Sequence, residues 1–187
     1  MTIFLFTSFF LYLTLLSPFV SAKSYMSQQE FFNSVQQSLS PAEKFQTKTL
    51  WLKKEIQSEV SNILDHKYPK LRVRYKISDG SKPPTSVWYL DEIGKERPIT
   101  FGVSIKNSRV QMIQVLEFRE SRGYEISIPA FAKQFEDIGV DDEHNLDQNI
   151  DGITGATMSV SAMKKIARLA ILLHKTVLSS STTSENK

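Results

Sequence analysis

The sequence predicts an α+β fold, an antiparallel β-sheet packed with helices and preceded by an N-terminal helical segment. Three observations predict it. Two Ser-x-x-Glu tetrads, at Ser27 and Ser40, stand ahead of apolar residues at helical spacing. From Leu71 to Phe118 the apolar period falls to two, interrupted by turn residues. A last helical stripe begins at Val160. Helices flanking a run of adjacent antiparallel strands define this class.

Met1 to Ala22 carry no charged side chain, and Ile3 to Leu16 form an apolar run rich in Phe and Leu. Pro18 ends it, and Val20-Ser21-Ala22 supplies the small residues expected before a signal-peptidase cut. The run is short beside the roughly 20 apolar residues of a membrane span. An export signal over 1–22, cleaved after Ala22, is therefore expected, with a periplasmic location. Its first residues lack Lys and Arg, so an uncleaved anchor in the inner membrane is the alternative.

The helical segment spans 23–70. Ser27-Gln28-Gln29-Glu30 opens a short helix to about Leu39. Ser40-Pro41-Ala42-Glu43, with Pro41 at the first helical position, opens a longer one to about Leu64. Phe45, Leu52, Ile56, Val60 and Ile63 would share its apolar face. Past Tyr68-Pro69, Leu71, Val73, Tyr75 and Ile77 alternate with Arg72, Arg74 and Lys76, the period of a half-buried strand.

Strands are expected at Ser86–Leu90, Ile99–Ile105 and Val110–Phe118, with a hairpin turn at Lys106-Asn107-Ser108-Arg109. Tyr124–Ile128 reads as a fifth strand, and Pro129 opens a short helix carrying Phe131 and Phe135. Val160, Met163, Ala167, Ala170 and Ile171 mark the core face of the last helix. The second unit thus spans 71–178, and the polar stretch 179–187 reads as a disordered tail.

Composition removes several classes of function. The 187 residues suffice for one domain of ordinary size. Net charge is +3, with 23 basic residues scattered among 20 acidic ones and no basic block interleaved with aromatics. Nucleic acid is not an expected partner. Cysteine is absent, which excludes disulfides, iron–sulfur clusters, thiolate zinc sites and thioether-linked haem. His66, His144 and His174 are far apart and read as surface or structural residues.

Chemistry concentrates at Asp151-Gly152-Ile153-Thr154-Gly155-Ala156-Thr157-Met158-Ser159, where the last helix begins. A helix start offers unsatisfied N–H groups and a partial positive charge, and so favours an anion. Thr154, Thr157 and Ser159 bring hydroxyls, and Gly155 and Ala156 permit close approach to the backbone. A capped helix start, with Asp151 or Thr154 as N-cap, is the plain alternative. Asp147-x-Asn149-x-Asp151-Gly152 also matches the first half of a calcium loop. The bidentate acid that such a loop needs falls on Met158, a thioether without affinity for a hard cation.

Asp151-x-x-Thr154-Gly155-Ala156-Thr157 matches in full the Asp-x-x-Ser/Thr-Gly-Ala-Thr acceptor signature of bacterial FMN-binding domains. On these residues the chain resembles the covalent-FMN subunits of the sodium-pumping NADH:quinone reductase and of the related Rnf complex. The resemblance implies FMN joined through a phosphoester to Thr157 by an exported flavin transferase that uses FAD and magnesium. It also implies that Asp151, Thr154, Gly155 and Ala156 shape the turn the transferase reads and the FMN phosphate occupies, with Ser159 beside them.

Upstream, Glu120-Ser121-Arg122-Gly123-Tyr124 resembles the Glu-Thr-Pro-Gly loop that lies beside the flavin in that family. Glu120 and Gly123 match, Ser121 replaces Thr, and Arg122 replaces Pro. A guanidinium at 122 can stack on the ring or balance its charge. Phe131-Ala132-Lys133-Gln134-Phe135 resembles the helix that follows, so the similarity runs from about residue 86 to 175 and leaves 27–66 unexplained. Tyr124, Trp88, Phe131 and Phe135 are candidate walls for the isoalloxazine, with core packing as the competing role.

The expectation is an exported electron carrier with covalent FMN, no catalytic residue of its own and no metal. It would relay electrons between a membrane-bound reductase and another extracytoplasmic acceptor. One alternative is a small exported flavin-dependent reductase acting directly on a soluble substrate, with Glu120, Arg122 and Tyr124 as local proton donors. Another is a non-redox module that binds calcium or a partner through the acidic loop 137–151.

Overall fold

Alternating apolar residues build one six-stranded antiparallel sheet in the order β1-β6-β5-β4-β3-β2. The computed structural model describes residues 22–41, 43–79 and 82–185, with side chains as far as Ser180. The strands are β1 (Lys23–Ser24), β2 (Lys44–Trp51), β3 (Arg72–Asp79), β4 (Ser86–Ile93), β5 (Pro98–Lys106) and β6 (Arg109–Phe118). The helices are α1 (Gln28–Gln37), α2 (Lys54–Leu64), α3 (Pro129–Ala132) and α4 (Thr157–Glu185). The expected export signal lies outside the described residues, apart from Ala22. Among the described residues no helix is long and apolar enough to cross a membrane.

The period-two pattern explains both faces of the sheet. Val73, Tyr75, Trp88, Leu90, Phe101, Val103 and Ile113 point into the main core beneath α2 and α4. Val87 and Leu116 point the other way and meet Phe31, Phe32 and Val35 of α1. Full burial of one such side chain contributes about 1.5–3 kcal/mol. The Phe31 ring lies on Gly102, where an added Cβ would come within 2.7 Å of it. That close approach accounts for a glycine inside β5.

Helix α4 buries the predicted stripe Val160, Met163, Ala167, Ala170 and Ile171. A polar chain also ties it to the sheet. Ser86 Oγ accepts from Trp88 Nε1 at 2.7 Å and lies 2.7 Å from His174 Nδ1. Burial pulls the His174 pKa down to about 4, so the imidazole is neutral and one proton lies between its Nδ1 and Ser86 Oγ. His174 is thus structural, as expected.

Three expected elements differ. The long helix from Ser40 to Leu64 is a strand followed by a shorter helix. Neither Ser40 nor Pro41 is helical, and Glu43 N–H donates to the Ser40 carbonyl. Lys44–Trp51 then pairs with β3 over its whole length. Phe45, Thr47, Thr49 and Trp51 are strand-formers, and an eight-residue partner outweighs a helical spacing carried by Phe45 alone. Val60 and Ile63 keep their predicted burial in α2, and Leu52 keeps its own just ahead of it.

Tyr124–Ser127 is a 3₁₀ turn rather than a fifth strand. Gly123 enters it at φ +87°, and Ser127 Oγ closes it on the Tyr124 carbonyl at 2.6 Å. The backbone beyond Ser179 continues as helix to Glu185. Hydroxyls of Thr176, Ser179 and Ser180 bond back to carbonyls three or four residues earlier, which suits a helical backbone.

Candidate functional site at the start of α4

The acceptor stretch reaches α4 through a tight turn. Ala156 N–H donates to the Ile153 carbonyl at 3.0 Å, and Gly155 takes φ +83° at the third turn position. That is a type II turn, whose third position favours Gly. Val160 N–H donates to the Ala156 carbonyl, so Ala156 is the N-cap. Neither Asp151 nor Thr154 caps the helix, contrary to the plain alternative. An Ala side chain cannot accept a bond, so the N–H groups of Thr157, Met158 and Ser159 have no intrahelical acceptor. They point out of the helix end with its partial positive charge.

Two more contacts fix this stretch. Lys164 Nζ donates to the Ile150 carbonyl at 2.9 Å, and Asp151 N–H donates to Gln134 Oε1 at 2.9 Å. Asp151 and Thr154 are exposed and shape the approach to the helix without lining the cleft beside it.

That cleft holds about 560 Å³ and is lined by Lys95, Glu120, Ser121, Arg122 and Gly155 through Ser159. Its far wall is the loop after β6. Gly123 makes the junction: an added Cβ would fall onto Ser159 Oγ, and φ +87° disfavours any L side chain. Ser159 is therefore buried beneath the loop. Thr157 is exposed at the mouth. Tyr124 lies just beyond, 53% exposed, with Lys23 Nζ 5.7 Å from its ring centre.

Glu120 has a specific task. Its Oε1 accepts the N–H groups of Lys95, Glu96 and Arg97 at 2.6, 2.6 and 2.8 Å. Partial burial pushes the carboxyl up, but these three bonds outweigh it and hold Glu120 below the usual carboxylate range. The bonds close the β4–β5 turn and set Lys95 on the cleft wall. Lys95 was missed in the sequence; a turn at Gly94-Lys95-Glu96-Arg97 was readable, its neighbour across the cleft was not.

Three of the four expected aromatic walls fall elsewhere. Trp88 is fully buried and stacked on Tyr75, with ring centres 4.6 Å apart at 14°. Phe131 and Phe135 pack edge to face in the core at 6.0 Å. The apolar groups open to the cleft region are Met158 and Tyr124. In the acidic loop, Asp147 pairs with Arg109 at 2.8 Å and accepts from Gly139 N–H. These bonds take up the first would-be calcium ligand.

The residues fit a phosphate-bearing flavin in chemistry. A 560 Å³ cleft is in the range of cofactor sites. Free N–H groups, the helix dipole, Lys95 and Arg122 all favour one anionic group beside Thr157. Residues 94–172 match the family model of the FMN-binding domain, from the turn that Glu120 closes into α4. No curated protein and no solved structure matches the chain.

Proposed function

We propose, from the match of residues 94–172 to the FMN-binding domain family, that this protein is an exported flavoprotein electron carrier with FMN joined through a phosphoester to Thr157. It relays electrons between a membrane-bound reductase and another extracytoplasmic acceptor. One observation carries the reading: the exposed hydroxyl residue of a complete acceptor signature stands at the first position of α4, inside a cleft that also holds Lys95 and Arg122. In the transfer, Thr157 gives up its hydroxyl proton, FAD supplies the FMN, and AMP leaves.

Each residue then has a defined task. The N–H groups of Thr157, Met158 and Ser159 and the cations of Lys95 and Arg122 hold the single negative charge of the phosphodiester. Met158 and Tyr124 offer apolar surface to the ring. Glu120 and Gly123 position the loop and the hairpin around them. When bound, the flavin supplies the capacity to accept and pass on electrons; the protein supplies orientation and electrostatics. The state of Glu120 favours the relay over a stand-alone reductase, because an ionised carboxylate engaged by three N–H groups is a poor proton donor.

Co-expression with the flavin transferase tests the reading. The mature chain is expected to gain the mass of FMN less one water and to fluoresce after denaturing electrophoresis. Thr157→Ala is expected to abolish both. A fluorescent Thr157→Ala band would sink the assignment.

A further inference from the structure

The large exposed apolar side chains are not scattered. Among the described residues they are Trp51, Leu71, Ile93, Tyr124, Ile128 and Met158. Trp51 ends β2, Leu71 precedes β3, and Ile93 ends β4. Tyr124 lies in the stretch after β6, and Met158 is the second residue of α4, at the cleft. Five of the six therefore stand at the one end of the sheet where β2, β4 and β6 finish.

The β2–β3 corner of that end is the most exposed. Trp51 and Leu71 are 61% and 62% exposed at the end of the β2–β3 pair, Trp51 opposite Arg72 and Leu71 on the other face beside Leu52, whose N–H donates to the Leu71 carbonyl. Helix α1 lies over β5 and β6, and its Phe32 meets Phe45 and Lys76, away from the Trp51 end of β2. Thr47, Thr49, Trp51, Arg72 and Arg74 are left uncovered on the same sheet face.

The charges around this corner share one sign. Lys53 is the N-cap of α2 without a side-chain cap bond, and Lys54 is its first residue. Two cations at a helix N-terminus oppose the macrodipole, and Glu55 is the only acid in that first turn. The Arg72 guanidinium lies 5.6 Å from the Trp51 ring centre. Among the described residues no ion pair engages Lys53, Lys54, Arg72 or Arg74.

We propose that this corner is a docking surface for an anionic phospholipid bilayer. Charge complementarity selects the occupant: Arg72 lies beside the exposed Trp51 indole, Arg74 shares its sheet face, Lys53 and Lys54 follow it in the chain, and among the described residues no acid pairs with any of the four. An indole beside guanidinium and ammonium groups suits the headgroup boundary of a membrane. Lysines adjacent to an anionic leaflet are attracted to it, which relieves their conflict with the α2 dipole. Docking here brings the cleft end of the sheet toward the bilayer. The corner itself, Trp51, Leu71, Lys53, Lys54, Arg72 and Arg74, includes no residue of the flavin cleft, so the inference does not depend on flavin attachment.

Trp51 is a built-in probe. The chain has two tryptophans; Trp88 is fully buried, and residues 1–22 contain none. The full-length chain is mixed with phosphatidylcholine vesicles, with and without phosphatidylglycerol, and its emission is recorded. A blue shift is expected only with phosphatidylglycerol, lost in high salt and absent in Trp51→Phe. Lys53→Glu/Lys54→Glu, both exposed positions, should weaken the response roughly tenfold while leaving the Trp88 near-ultraviolet signal intact. An unchanged Trp51 spectrum, or an equal shift on neutral vesicles, overturns the proposal. So does a response to soluble polyglutamate in the absence of any response to anionic vesicles, which would assign the corner to an acidic protein.

Discussion

Glu92 and Glu120 stand at the same end of the sheet, yet their surroundings drive their carboxyl groups in opposite directions. Glu92 is the penultimate residue of β4, its side chain 2% exposed, with His66 Nε2 at 3.1 Å and Lys165 Nζ at 3.9 Å. Burial pushes its carboxyl up, and the two basic neighbours only moderate that. Glu120 sits at the cleft rim, where three backbone N–H groups overcome a weaker burial effect. The difference teaches that a carboxylate is set by the donors converging on it, not by the number of cations nearby. A cavity of about 620 Å³ beside Glu92 exceeds the acceptor cleft in size. It lacks the free helix N–H groups and the signature threonine on which the proposal for the smaller cleft rests.

The comparison can be broken first at its hinge. Gly123→Ala imposes a disfavoured φ and drives a methyl into Ser159, and should cost about 3 kcal/mol by urea unfolding. Adding Ser159→Ala should recover part of that loss; no recovery would show that φ, not crowding, dominates. Glu120→Ala comes next, leaving the Lys95, Glu96 and Arg97 N–H groups without their carboxylate at a cost of about 2 kcal/mol.

The pH dependence gives opposite signs for the two acids. A lowered native pKa means that Glu120 contributes above its ordinary value and loses that contribution as pH falls, below about pH 4. A raised native pKa means that Glu92 favours folding in its protonated form and loses that contribution as pH rises through its native pKa. Glu92→Gln is the smallest change, within about 1 kcal/mol at pH 7, since the amide keeps the shape and loses the buried charge. Melting curves across pH should show a flatter profile for Glu92→Gln and an unchanged acid limb. A steeper fall toward acid in that variant would reverse the assignment.

Much of the molecule was legible in the sequence because it is locally encoded. The Ser27–Glu30 capping box forms with both bonds in place, at 3.1 and 2.7 Å. The Asn107-Ser108 turn carries positive φ at both residues, as a two-residue hairpin requires. What escaped was decided by partners. Residues 44–51 became a strand because β3 offered a ladder, and Trp88 left the list of flavin walls because Tyr75 and Ser86 enclose it.

The sequence by itself determined the acceptor signature, the amphipathic stripe of α4 and the alternation of β3 to β6. Each rests on residues a few positions apart, where helical or strand periodicity acts directly. Only the tertiary structure decided what surrounds Thr157. Glu120 reaches Lys95 across 25 residues of sequence, Gly123 meets Ser159, and Trp51 meets Arg72. These meetings depend on strand order and on how the sheet abuts the helix, and no local pattern encodes which distant residue a side chain will touch.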